Sequence, residues 1–267
     1  MTRIMPPGMK AVILAGGLGT RMREETEFRP KPMVDLGGRP IIHHIMSIYS
    51  HWGVKDFVVL AGYKGDIIRD YFLNYSTRAE DFTVNLSQRD SIRVESSGRG
   101  GPDWNVTVVE TGPLTETGAR LLKAKRFLES EPFFLTYGDG VADIDISALW
   151  SSHIRSGRTA TMSLATVPSR FGHARLGGEG EVLSFVEKPI VSEPINIGFY
   201  AMNPEVFSYL DEHSALEKEP IARLIEKRQL SGFVHDGFWQ AMDTQREVLQ
   251  MSKLIEAGRA PWLFDAI

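Results

Sequence analysis

A chain of 267 residues is long enough for one large core or two small ones. Its net charge of −4 gives no basic surface for nucleic acid, and the lack of cysteine excludes disulfides, thiolate metal sites and cysteine nucleophiles. No apolar run approaches the roughly 18 residues of a membrane span, and residues 1–9, MTRIMPPGM, are too poor in apolar side chains for a signal peptide. The expectation is a cytoplasmic protein with no membrane or nucleic-acid partner. It has a short extension at 1–9 and one domain at 10–267.

Ala11-Val12-Ile13-Leu14-Ala15 lacks polar alternation, which predicts a strand buried on both faces. It stops at Gly16-Gly17-Leu18-Gly19-Thr20-Arg21. Three glycines let the backbone approach a ligand closely, and successive N–H groups in such a turn can hold an anion. Arg21 adds a planar cation suited to phosphate oxygens, and Lys31 is restrained between Pro30 and Pro32. The loop lacks the terminal Gly-Lys-Ser/Thr of a Walker motif, and Met22 stands where a dinucleotide fingerprint needs its third glycine.

Downstream, a helix beginning at Pro40, a buried strand at Asp56–Ala61 and an amphipathic helix with Ile67, Ile68, Tyr71 and Phe72 give the βαβ rhythm of a parallel sheet. Residues 75–103 interrupt it with a polar excursion, read either as a surface loop or as an arm contacting a neighbouring subunit. A strand at 104–110 leads into Thr111–Arg120 and a helix with Leu121 and Leu122. Loops after the strands of an open α/β sheet are where ligands bind. The hydroxyls and glycines of this loop either read a nucleobase edge or belong to an ordinary helix start with Thr117 as its cap. Phe133–Tyr137 is a further buried strand, ending in Gly138-Asp139-Gly140. A carboxylate between two glycines can take Mg²⁺, which combines one or two carboxylates with phosphate oxygens; a plain turn aspartate is the alternative. A hairpin around Gly177–Gly180 ends in Glu187-Lys188-Pro189. Asp243, before the last helix, reads on its residues alone as an N-cap.

LAGGLGTR followed by RPKPMV resembles the signature of the sugar-1-phosphate nucleotidylyltransferases. The match runs from Lys10 to about Trp262. It implies that Leu14, Ala15, Gly16, Gly17, Leu18, Gly19 and Thr20 bind a nucleoside triphosphate, with Arg21 and Lys31 on its phosphates. The run TGPLTETGAR is similar to the nucleotide loop of the glucose-1-phosphate cytidylyltransferases. It implies nucleotide contacts from Thr115, Gly118, Arg120 and Gly138, although Ala119 replaces a glycine of that pattern. The E-K-P and I-N-I-G-F runs imply a sugar-phosphate site from Tyr137, Glu187, Lys188 and Asn196, with Ile197 in place of a glycine. F-W-Q-A-M-D-T implies that Asp243 joins Asp139 as a metal ligand; Trp239, by the usual burial of tryptophan, is read as core or pocket wall rather than a stacking surface.

These readings together predict an α/β fold with a doubly wound, mainly parallel sheet, Rossmann-like as in nucleotidyltransferases. A small mixed subregion at about 168–242 contributes the sugar-phosphate site. The reaction implied is Mg²⁺-dependent cytidylyl transfer from CTP to α-D-glucose 1-phosphate, by a homo-oligomer. The residues leave open UTP or dTTP as donor, another phosphorylated acceptor, and a non-catalytic nucleotide-sugar sensor. A sensor, however, has no need of Arg21, Lys31, Asp139, Lys188 and Asp243 together.

Overall fold

The computed structural model describes residues 6–87, 91–95, 101–169, 171–190 and 193–264. The predicted N-terminal extension and the excursion at 75–103 lie partly outside these residues.

The first apolar run forms β1 (Lys10–Ala15), buried from Ala11 onward. Helix α1 (Arg23–Thr26) and a ribbon of β2 (Asp35–Leu36) and β3 (Arg39–Pro40) separate it from α2 (Ile41–His51). Pro40 stands just before α2 in extended conformation, φ −66° and ψ 149°, one position earlier than expected. β4 (Asp56–Ala61) and α3 (Gly65–Leu73) complete the first βαβ unit. The excursion holds α4 (Tyr75–Ala79) and an exposed antiparallel hairpin, β5 (Asp81–Val84) with β6 (Ile92–Glu95). β7 (Asn105–Glu110), α5 (Thr117–Lys123) and β8 (Phe133–Tyr137) restore the rhythm. They are followed by β9 (Gly140–Ala142), α6 (Ile146–Ser156) and β10 (Ala160–Ala165). Beyond them come the hairpin β11 (His173–Leu176) and β12 (Val182–Val186), then β13 (Ile195–Met202) and α7 (Glu219–Glu226). The last elements are β14 (Leu230–Val234), β15 (Trp239–Ala241) and α8 (Gln245–Glu256).

The main sheet has the order β14-β10-β13-β8-β1-β4-β7. All its pairings are parallel except those of β13, which runs antiparallel to both β8 and β10. Alternate residues of β1 face opposite ways: Ala11 and Ile13 pack with Ile45 and Tyr49 of α2, whereas Val12 and Leu14 pack with Leu121 of α5. Both faces are thus covered, which is why the central strands lack polar alternation.

The 168–242 segment is not one body apart from this sheet. β13 and β14 are strands of the main sheet, and the apolar run Ile197–Met202 is buried there. What stands outside it is the hairpin β11–β12 and the short pairing of β15 with β9.

Candidate active site

β1 and β8 run side by side in the centre of the sheet, and their C-terminal ends open into a cavity of about 360 Å³. Its wall is built from Leu14–Gly17, Gly19–Arg21, Lys31–Pro32, Thr115–Thr117, Arg120, Tyr137–Asp139 and Asp243. The glycine loop crosses its mouth. Gly19 has φ +62°, and a Cβ there would lie 2.6 Å from Cγ2 of Thr26, so both the backbone and the space require glycine. The Thr26 hydroxyl donates to the carbonyls of Gly19 (3.1 Å) and Met22 (3.0 Å), holding the loop's return. Gly138 donates its N–H to Leu14 O at 3.0 Å, and a Cβ there would meet that oxygen at 2.7 Å and Pro32 Cγ at 2.9 Å. This close crossing brings Lys31 and Asp139 to the same point.

Lys31 starts a 3-10 turn whose N-cap is Pro30, and its side chain is only 11% exposed. Its Nζ lies 2.7 Å from Asp139 Oδ2 and 2.7 Å from Asp243 Oδ1. Arg21 Nη1 donates to Asp243 Oδ2 at 2.8 Å. Burial alone would lower the Lys31 pKa; Asp139 and then Asp243 outweigh it and hold the ammonium above the ordinary lysine value. The two carboxylates meet because β9 pairs with β15, with Ala241 opposite Gly140 and Met242 N–H donating to Asp139 O at 2.8 Å. Asp143, next to the far end of this ribbon, lies 3.1 Å from His235. Asp243 is not the cap of α8; Thr244 is, accepting from Glu247 N, while Glu247 Oε2 takes the Asp243 N–H at 2.7 Å.

Two carboxylates converging on one cation are the kind of oxygen donors that could hold a divalent ion, and here they hold the Lys31 ammonium. Among the described residues no cluster of three or more His, Asp or Glu side chains could hold a metal. Two carboxylates with room for phosphate and water oxygens match what Mg²⁺ ordinarily takes.

Arg120 is buried, and its guanidinium joins two loops. It donates to Gly16 O (2.7 Å), Gly112 O (2.7 Å), Thr111 Oγ1 (2.6 Å) and Pro113 O (3.3 Å). Tyr137 closes the opposite wall. Its ring covers Gly198, which has φ +82° and whose Cβ would meet Tyr137 Cδ2 at 2.4 Å. Asn196 Nδ2 donates to the hydroxyls of Tyr137 (3.3 Å) and Tyr200 (2.5 Å). Burial first, then Tyr200 and Glu217, push the Tyr137 pKa up, so its phenol stays protonated.

The structure gathers Leu14, Ala15, Gly16, Gly17, Gly19, Thr20, Arg21, Lys31, Thr115, Arg120, Tyr137, Gly138, Asp139 and Asp243 around one cavity. Asn196 stands behind Tyr137. Leu18 is exposed and outside the lining. Gly118 is also outside it: a Cβ there would meet Ser214 O at 2.8 Å, so its glycine serves the approach of the 210–218 segment. Ala119 and Ile197 are core residues, so neither exchange of a family glycine alters the cavity wall. Trp239 is half-buried against the core and donates to Ile197 O at 3.0 Å. Glu187 and Lys188 are exposed beyond the end of β12 and do not line the cavity. Thr117 is not the cap of α5, since it already lies inside the helix; its hydroxyl faces the 211–218 loop. Sequence reasoning missed Glu217 of that loop, which no local pattern marks.

The family model described as nucleotidyl transferase matches residues 10–257. The chain belongs to this family. It is 45% identical over 257 residues to the glucose-1-phosphate cytidylyltransferase of Salmonella typhimurium, covering 95% of this chain and 98% of that protein. The mannose-1-phosphate guanyltransferase of Saccharomyces cerevisiae is 29% identical, over 90% of this chain and 63% of its own length. Two solved structures have the same fold at low identity. HddC from Yersinia pseudotuberculosis has a TM-score of 0.65 at 22% identity, with 92% of this chain and 99% of that one covered. A UDP-glucose pyrophosphorylase has 0.66 at 18%, with 94% and 99% covered.

Proposed function

We propose that this nucleotidyltransferase moves a cytidylyl group from CTP to α-D-glucose 1-phosphate, giving CDP-glucose and pyrophosphate, with Mg²⁺ as its metal. The observation that carries the chemistry is the convergence of Lys31, Asp139 and Asp243 beneath the glycine loop. No general base is needed, because the attacking oxygen of a sugar phosphate is already an anion. It bonds to the α-phosphorus of CTP as the bond from that phosphorus to the bridging oxygen breaks, and the electron pair leaves with pyrophosphate. Catalysis rests on positioning and charge neutralisation. The choice of CTP and glucose 1-phosphate is supported by the near-full-length likeness to the Salmonella enzyme.

In this reading Gly16–Thr20 present N–H groups to the triphosphate, and Arg21 neutralises the departing pyrophosphate. Lys31 turns from the carboxylates to the phosphates. Asp139 and Asp243 would hold Mg²⁺, which when bound would supply Lewis-acid neutralisation of phosphate charge. Tyr137 and Asn196 form the sugar side, and Glu187 and Lys188 reach the sugar phosphate by movement of the exposed hairpin that carries them. The reaction runs in the cytoplasm, where its triphosphate is made. The chain works as a homo-oligomer joined through hairpins with exposed apolar faces. No helix among the described residues is long and apolar enough to cross a membrane.

The role of Asp139 is tested by Asp139→Asn, assayed by mass detection of CDP-glucose. Turnover should fall on the order of a hundredfold or more, as when one preorganised charge is removed. Near-native turnover with Mg²⁺ would remove Asp139 from the site.

A further inference from the structure

We propose that Glu217 determines nucleobase choice, by fixing the Thr117 hydroxyl of the cavity wall as a hydrogen-bond acceptor so that the wall takes the amino group of cytosine and refuses the carbonyl of uracil or thymine. This rests on the reading of the cavity as a nucleotide site. The phosphates then lie at the glycine loop, Arg21 and Lys31, and the base lies toward Thr115–Arg120.

Several backbone acceptors of that region are engaged. Gly16 O takes Arg120 Nη2 at 2.7 Å and Tyr63 N at 3.1 Å, so its two lone pairs are used. Thr111 O takes Lys123 Nζ at 2.6 Å and Thr115 Oγ1 at 2.5 Å, and Gly112 O takes Arg120 Nη1. The hydroxyl of Thr117 is differently placed. It accepts from Leu216 N at 2.8 Å and donates to Glu217 Oε2 at 2.7 Å, which leaves one lone pair.

The other oxygen of Glu217, Oε1, takes the proton of Tyr137 at 2.7 Å across the cavity wall. A hydroxyl alone can turn to donate or to accept. A carboxylate can only accept, so it commits the protons of both Thr117 and Tyr137 to itself. What Thr117 still offers a ligand is an acceptor, whereas the Tyr137 oxygen already faces Asn196 Nδ2 and the Tyr200 hydroxyl, each at 3.3 Å. Cytosine carries an amino donor at the ring position where uracil and thymine carry a carbonyl. A site that must leave that carbonyl facing a lone pair rejects it, because neither group finds a partner.

The test compares kcat/KM for CTP and for UTP, each with glucose 1-phosphate, in the full-length enzyme and in Glu217→Gln, Thr117→Val and Thr117→Ser. An amide at 217 can donate to one hydroxyl and turn that hydroxyl's proton toward the cavity. The CTP-over-UTP preference should then fall by about tenfold or more, with the change in KM for the two nucleotides exceeding the change in kcat. Thr117→Val should lose a similar part of the preference, and Thr117→Ser should restore it. Thermal melting shows whether Glu217→Gln still folds; if it does not, the Thr117 pair decides the matter alone. A wild-type preference for CTP that survives both Glu217→Gln and Thr117→Val within twofold overturns this inference and leaves cytidylyl transfer standing. A wild-type enzyme that does not prefer CTP overturns both.

Discussion

Lys31 is a cation held by two carboxylates that the proposed chemistry needs for a metal ion. Charges a few ångströms apart at a partly buried site interact by several kcal/mol, so ammonium and divalent ion compete for the same oxygens. The nucleotide resolves the competition, because its phosphates offer Lys31 another partner and bring further oxygen ligands. Nucleotide-free enzyme should therefore bind Mn²⁺ weakly, and Lys31→Met should tighten that binding by about tenfold or more, as expected when a charge worth at least 1.4 kcal/mol leaves the site. Paramagnetic resonance of free Mn²⁺ measures this directly. Equal Mn²⁺ affinity in the two proteins would show that Lys31 does not occupy the metal's place.

The elements divide into those that build the sheet and two hairpins that leave it. The β5–β6 hairpin exposes Phe82, Val84 and Ile92, and the β11–β12 hairpin exposes Leu176, Val182, Leu183 and Phe185. Strands with apolar side chains open to water invite a partner, and further copies of the chain are the partner proposed here. Sedimentation equilibrium should report an assembly larger than a monomer, and Leu183→Asp with Phe185→Asp should shift it toward smaller species. A monomer at micromolar concentration would count against the hairpins as assembly elements.

Legibility also differs by element. β1, β4 and β8 were readable because strands covered on both faces are uninterrupted apolar runs. The insertion of β13 between β8 and β10 was not, since strand direction is set by where the chain returns and leaves no local mark. In the site, Arg21, Lys31 and Asp139 stood out because each sits in its own short motif. The bond between Thr117 and Glu217 did not, because it joins residues 100 positions apart. Glu187 and Lys188 were legible as a motif, but their distance from the cavity depends on how the hairpin is placed.

At the scale of the whole molecule, the sheet brings the glycine loop, the Thr115–Arg120 wall and the two carboxylates to one end of the fold, around the cavity proposed as the active site. The phosphate and metal contacts are common to every nucleoside triphosphate, so a nucleotide-transfer site alone leaves the base unsettled. In the proposed reading the wall decides the base, and it prefers cytosine. The most direct test is pyrophosphate release with Mg²⁺ for CTP, UTP, dTTP, ATP and GTP, each against glucose 1-phosphate and other sugar 1-phosphates. The highest kcat/KM is expected for CTP with glucose 1-phosphate, with CDP-glucose as product. A higher value for UTP or dTTP with glucose 1-phosphate, or turnover of CTP only with a different phosphorylated acceptor, would contradict it.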